Sequence, residues 1–315
     1  MRTGLVRGAV GPAGAVLLCL ALLLCAAPVL PAAEARRSSS PGDGRAHAYG
    51  PRERQRLVVH GAGARAPGGR PAVVLLHGGY WYQGRSRGWV PWMRHFVEAG
   101  TVVFDVDYRS NAAAAWPAQR NDILRALRWI RARAGRLGVD PERLVLLGSS
   151  AGGQVAAAVG TYGAGRERVA GVVALSPPLD PLRTQGELRA APGVPGREPR
   201  LRKTEHLRAN AARLAGCPSL RAAPGTRCGR VWRDMAAARH ASGADDAPML
   251  LVHARRDFVP FGPSLRLARA QRARGMPADG VTVLTVPGAA HGGVLLRLPR
   301  VARAVLDWTA ARTRE

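Results

Sequence analysis

Arg143-Leu144-Val145-Leu146-Leu147, then Gly148-Ser149-Ser150-Ala151-Gly152, then the small-residue run that reaches Val159: this stretch decides the fold. Its first five residues read as a strand and the run from Ala151 to Val159 as a helix. A G-x-S-x-G sequence at such a junction makes a sharp turn that holds its middle serine in strained backbone geometry. The neighbours of that serine must be small to avoid collision. Ser150 occupies the middle position, and the helix N-terminus behind it favours developing negative charge. The pattern marks Ser150 as a candidate nucleophile.

The same alternation extends in both directions. Leu57–His60 is a short early strand, and Pro71–Leu76 is a continuous apolar one, as a strand buried on both faces should be. Trp89–Ala99 reads as a helix ended by Gly100, and Thr101–Tyr108 as a strand. The spacing predicts one helix from Pro117 to Leu137, closed by Gly138. Val169–Leu175, Met249–His253 and Val281–Val286 are further strands, and a last helix lies between Pro299 and Arg312. Strands alternating with helices imply a mostly parallel, doubly wound sheet with right-handed crossovers. The alternation stops over residues 177–247. That stretch is rich in Pro, Gly and Arg, is too polar for a core of its own, and reads as a cap or lid inserted over the sheet. Residues 36–50 read as a disordered linker, which starts the catalytic domain at residue 51.

Three further loops carry chemistry. His77-Gly78-Gly79 ends the strand Pro71–Leu76, where glycine lets the backbone come close. The amides of Gly78 and Gly79, with that of Ala151, can face the oxygen of a tetrahedral intermediate. His77 reads as a residue that fixes this loop. A serine nucleophile needs a base, and His291 stands in the small-residue loop Pro287–Gly293 after the last strand. His253 ends its own strand, and His206 and His240 lie in the insertion. Asp257, in the loop after Met249–His253, is the candidate that orients the histidine and stabilises the imidazolium. Asp180, after the preceding strand, is the alternative acid.

From about residue 70 to 310 the chain resembles the α/β-hydrolase family of acyl esterases that includes carboxylesterases, acetyl esterases and the hormone-sensitive-lipase group. The residues that carry the resemblance are HGGYW (77–81), DVDYR (105–109), WPAQRND (116–122), DPERLVLLGSSAGG (140–153), the Asp257 loop with Val259-Pro260, and PGAAHG (287–292). The order serine, aspartate, histidine is that family's order. The resemblance implies an α/β-hydrolase fold with a cap inserted between strands 6 and 7, and ester hydrolysis through an acyl-enzyme with no metal or organic cofactor. Two positions depart from the lipase group, which has a third glycine where Tyr80 stands and an aspartate where Ser149 stands. HGGYW is also similar to kynurenine formamidases, so an amidase, peptidase or arylformamidase-like hydrolase is an alternative on the same fold. A non-catalytic binding protein of this fold is a third reading, against which the complete Ser150–Asp257–His291 set speaks.

Tyr80 and Trp81 follow the glycines and read either as walls of a substrate pocket or as anchors of the loop. Cys217 and Cys228 flank a Pro- and Gly-containing loop in the insertion, and a disulfide closing it would be worth about 2–3 kcal/mol. Two cysteines without paired histidine spacing do not make a zinc site. Arg2 and Arg7 precede an uncharged run from Gly8 to Ala33, whose densest apolar part, Ala15–Ala27, has the length of a signal-peptide core. Ala33-Glu34-Ala35 supplies a cleavage site, so residues 1–35 read as a signal peptide and the protein as secreted, without a stable membrane anchor.

The net charge of +26, from 47 basic and 21 acidic residues, invites a nucleic-acid reading. The arginines are scattered along the chain, with no basic stripe interleaved with stacking aromatics, and Lys203 is the only lysine. That distribution reads as solvated arginine faces rather than a nucleic-acid surface. The expected partner is a small-molecule or lipid-like ester.

Overall fold

The structure, a computed structural model, describes residues 44–314 apart from 64–65, 85–88, 164, 166, 188–196, 218–222 and 224. The expected signal peptide and residues 36–43 of the expected linker lie outside the described residues.

Among the described residues, eight strands form one sheet. They are β1 (Arg45–Ala48), β2 (Arg56–His60), β3 (Arg70–Leu76), β4 (Val102–Val106), β5 (Val139–Ser149), β6 (Gly171–Leu175), β7 (Met249–Ala254) and β8 (Val281–Val286). The spatial order is β1-β2-β4-β3-β5-β6-β7-β8. The last six in that order are parallel, while β1 and β2 add an antiparallel edge. The expectation of a linker through residue 50 is therefore corrected. Arg45–Ala48 pairs with β2, and the buried Tyr49 donates its hydroxyl to the carbonyl of Asp107 at 2.6 Å. Edge pairing and one buried aromatic order a stretch whose composition alone signals disorder.

Side chains alternate across the parallel strands, so both faces need cover. Val73, Leu75, Val145, Leu147, Val173 and Val252 point to one face, where Met93 and Phe96 of α1 (Val90–Glu98) and Val301 and Val305 of α9 (Pro299–Arg312) cover them. Ala72, Val74, Leu76, Phe104, Leu146 and Leu251 point to the other. There α2 (Ala118–Arg131), α4 (Ala151–Gly160) and α8 (Gly262–Arg272) pack. The single helix expected from Pro117 to Leu137 is two pieces. After α2 ends, the short turn α3 (Ala134–Leu137) stops at Gly138 in the left-handed conformation, and the Gly138 carbonyl accepts from the amide of Arg70.

Between β6 and β7 the chain builds α5 (Pro181–Glu187), α6 (Arg197–Ala215) and α7 (Arg227–Met235). Among the described residues these helices build no core of their own. Leu207, Ala211 and Leu214 of α6, with Trp232 and Met235 of α7, join the cluster that α2 and α4 build on the sheet. The sulfurs of Cys217 and Cys228 are bonded and tie the end of α6 to the start of α7. Asp234 of α7 clamps the insertion onto α2. It receives Arg120 at 3.1 Å on both oxygens, the indole of Trp116, and His240 at 3.2 Å. Among the described residues no helix is long and apolar enough to cross a membrane.

Burial would raise the Asp234 carboxyl, but hydrogen bonds and charge from His240, Arg120 and Trp116 outweigh it and hold it down at about 2. The same pairing raises His240. The carboxylate's contribution is present above its unfolded value of 3.8 and is lost as pH falls through about 2. The His240 contribution is present below its ordinary 6.5 and is lost as pH rises through its raised folded value. Asp234→Asn should lower the urea midpoint clearly at pH 6, where both groups are charged, and by less at pH 3. Equal losses at the two pH values would show that the charge does not dock the insertion.

Candidate active site

β5 ends at Ser149 and α4 begins at Ala151, so Ser150 alone makes the turn. Its backbone sits at φ 51°, ψ −116°, a conformation that a residue with a side chain adopts only at a cost of about 1–3 kcal/mol. The amide of Ser150 donates to the Leu175 carbonyl at 2.7 Å, and its own carbonyl accepts from Gln154. Two glycines make room. A Cβ on Gly148 would stand 2.3 Å from the Gly152 carbonyl oxygen, and one on Gly152 would stand 2.3 Å from that of Leu76.

Strand register brings the other loops to the same sheet end. Leu76 is level with Gly148, Ser149 with Leu175, Leu175 with Val252, and Ala254 with Val286. The chains leaving β3, β5, β6, β7 and β8 therefore emerge side by side. Asp257 is buried, and its carboxylate receives the Nδ1 of His291 at 3.0 and 3.1 Å. The amide of Val259 also donates to Asp257, at 3.2 Å. With Nδ1 engaged, the imidazole has Nε2 for proton transfer. Asp180, the alternative acid, instead receives the amide of Arg183, and burial raises its carboxyl. His253 is fully buried against the Ser264 hydroxyl at 2.8 Å, and burial pushes it down to about 4, so it stays neutral at neutral pH.

Two serine hydroxyls latch the histidine loop. Ser176 Oγ accepts from the Gly292 amide at 3.0 Å, and Ser149 Oγ accepts from the Gly293 amide at 2.9 Å. Gly292 is needed there, since its φ is 57° and a Cβ would fall 2.4 Å from Ser149 Oγ and 3.9 Å from Ser150 Cβ. The sequence reading missed Ser176, although a serine directly after a buried strand, as at Ser149, was the available signal.

The glycine loop is held from beneath. His77 is fully buried, stacked on Tyr108 at 4.3 Å, and bonded to Asp107 at 2.9 Å and to the Gly78 carbonyl at 2.8 Å. Gly79, Tyr80 and Trp81 all have positive φ, and the Gly79 carbonyl caps the turn by accepting from Tyr82 and Gln83. Among the described residues, the amides of Gly78, Gly79 and Ala151 are bonded to no protein acceptor. Trp81 is corrected as a pocket wall. It is fully buried and donates its indole N–H to Gln154 at 3.0 Å, an anchor for a turn in which both Tyr80 and Trp81 hold positive φ.

Tyr80 lines a cleft of about 780 Å³ between residues 79–83 and one face of α6. Its ring stands 5.7 Å from His206 and 6.3 Å from Phe258, and Phe258 packs 4.3 Å from the His291 ring. His206, which lines the cleft, and Phe258, which stands between His291 and Lys203 of α6, were not singled out from sequence, because contact between a post-strand loop and a cap helix leaves no spacing signal. Among the described residues no cluster of three His, Cys, Asp or Glu suited to a metal ion occurs.

The BD-FAE family model matches residues 62–177. The carboxylesterase NlhH of Mycobacterium tuberculosis is 42 % identical over 88 residues, 28 % of each chain. The esterase LipC of the same organism is 26 % identical over 229 residues, 72 % of this chain and 54 % of that one. The chain spans only about a fifth to a third of the length of several curated relatives, 21 % for LipM and 33 % for a Schizosaccharomyces pombe hydrolase. Among solved structures, a truncated carbohydrate esterase from gut microbiota aligns with TM-score 0.65 at 20 % identity, over 85 % of this chain and 95 % of that one. An esterase of Thermogutta terrifontis aligns with TM-score 0.62 at 22 % identity, over 88 % and 95 %. The chain has the α/β-hydrolase fold and is similar in sequence to the carboxylesterase group of that superfamily.

Proposed function

We propose that the protein is a serine esterase that cleaves carboxylic esters through an acyl-enzyme. The observation that carries this reading is the strained Ser150 elbow beside the Asp257–His291 pair, which is what a nucleophile and its oriented base require. In this reading Ser150 Oγ attacks the carbonyl carbon while His291 Nε2 takes its proton. The tetrahedral oxygen then sits against the amides of Gly78, Gly79 and Ala151. Collapse expels the alcohol, which takes the proton from His291. Water enters and attacks the acyl carbonyl as His291 takes its proton. Collapse of the second tetrahedral intermediate breaks the bond to Ser150 Oγ, which takes the proton back from His291 as the acid leaves. Asp257 keeps Nδ1 protonated and stabilises the imidazolium throughout.

The likeness to carboxylesterases supports an ester over an amide as substrate. The apolar run Ala15–Ala27 and the Cys217–Cys228 bond support export into an oxidising compartment.

Ser150→Ala should abolish p-nitrophenyl acetate hydrolysis, and Asp257→Asn should lower kcat by about 10³-fold or more with an unchanged melting profile. Turnover by Ser150→Ala would contradict the nucleophile assignment, and near-normal turnover by Asp257→Asn would remove the acid. The latch gives a separate expectation. Ser176→Ala frees the Gly292 amide and should lower kcat by about 3- to 30-fold with little change in KM, since it loosens His291 rather than the cleft. A loss confined to KM would place Ser176 in substrate binding instead.

A further inference from the structure

The cleft between residues 79–83 and α6 has a cationic wall. Arg202, Lys203 and Arg213 of α6 line it and are exposed, and Glu205 is the one carboxylate among its described lining residues. Among the described residues none of the three cations is ion-paired. Lys203 is the single lysine among 47 basic residues, a compact charge on a flexible stem where the chain otherwise uses rigid guanidinium forks. Its ammonium stands 5.9 Å from the centre of the Phe258 ring, and that ring is 4.3 Å from His291. Outward from the imidazole come the Phe258 ring and then the Lys203 ammonium, which belongs to the cationic wall of the cleft.

A bound ester with its carbonyl at Ser150 would pass its chain along Phe258 and Tyr80. Whatever it carries a few atoms further on meets Lys203, with Arg202 and Arg213 on the same helix face. A cleft with low-dielectric walls focuses the field of such a group and raises the local concentration of anions. Neutral lipid-like esters gain nothing from these charges.

We propose that the site selects esters bearing a carboxylate or another anionic group a few carbon atoms from the scissile carbonyl. This rests on the serine-esterase reading of the same site. The anion can belong to the acyl group or to the leaving alcohol, and two matched pairs separate these sources. Monophenyl glutarate against phenyl valerate places the charge on the acyl side. 4-Acetoxybenzoate against its methyl ester places it on the leaving group. Each kcat/KM is divided by that ester's hydroxide-catalysed rate, which removes intrinsic reactivity.

In at least one pair the anionic member should be favoured by about tenfold or more at 20 mM salt, and by about threefold or less at 500 mM. Lys203→Glu should lower that ratio at least about fivefold, whereas Arg303→Gln on the distant helix α9 should leave it unchanged, which separates the local charge from the overall +26. Brisk turnover of all four esters with no anionic preference in either pair would overturn the proposal, as would a preference insensitive to Lys203→Glu. If no ester is turned over, the esterase reading itself fails. Calorimetry then decides the cleft alone: 4-hydroxybenzoate binding more tightly than its methyl ester, and losing that advantage in Lys203→Glu, supports an anion-selective site, and equal binding overturns it.

Discussion

Ser150 is held at a backbone conformation that an isolated chain avoids, and the surrounding structure is organised around keeping it there. The strain persists because both flanking segments are over-determined. β5 lies between β3 and β6 in the middle of the sheet, and α4 is buried along its whole length. Neither can shift to relax the turn. The glycines at 148 and 152 are therefore fixed by contact with neighbouring backbone rather than by any need for flexibility, since a single methyl group at either would meet a carbonyl oxygen at 2.3 Å.

The same logic explains how distant residues arrive together. A parallel sheet delivers the C-terminal ends of its strands to one edge, so residues from 34 to 144 positions apart become neighbours without long detours. Fine placement is then done by small polar groups. Ser149 and Ser176, at the ends of two adjacent strands, hold the Gly292–Gly293 backbone, and through it the loop that carries His291. The insertion contributes differently. Its described residues build no separate core, so its position depends on apolar burial by Leu207, Leu214 and Trp232, on the Cys217–Cys228 link, and on the Asp234 clamp.

What was legible in the sequence follows from these differences. The buried parallel strands β3 to β7 announce themselves as apolar runs, and Ser150 and Asp257 follow two of them, while His291 follows the Val- and Thr-rich edge strand β8. Strand position, the G-x-S-x-G pattern and the order serine, aspartate, histidine together brought them into focus. The helices α6 and α8 were not read. Arg-rich helices that bury only a few alanines and leucines resemble loops in composition, and the Gly262-Pro263 start of α8 looks like a turn. Arg45–Ala48 failed for a related reason, because edge strands are specified by their partner more than by their own residues. Trp81 and Tyr80 are adjacent and chemically alike, yet one is buried and the other lines the cleft. What separates them is the partner each meets in the fold, Gln154 of α4 for the Trp81 indole and the His206 ring of α6 for Tyr80, and no local pattern encodes those contacts.

The central claim is that the elbow serine is chemically activated by the Asp257–His291 pair. Reaction with a fluorophosphonate, followed by peptide mapping, tests it without knowledge of the natural substrate. The account predicts one adduct per chain, on the peptide carrying Ser149 and Ser150 and fragmenting to Ser150, formed far more slowly in His291→Ala. An adduct on Ser149 or elsewhere, or labelling of Ser150 at an undiminished rate without His291, would contradict it.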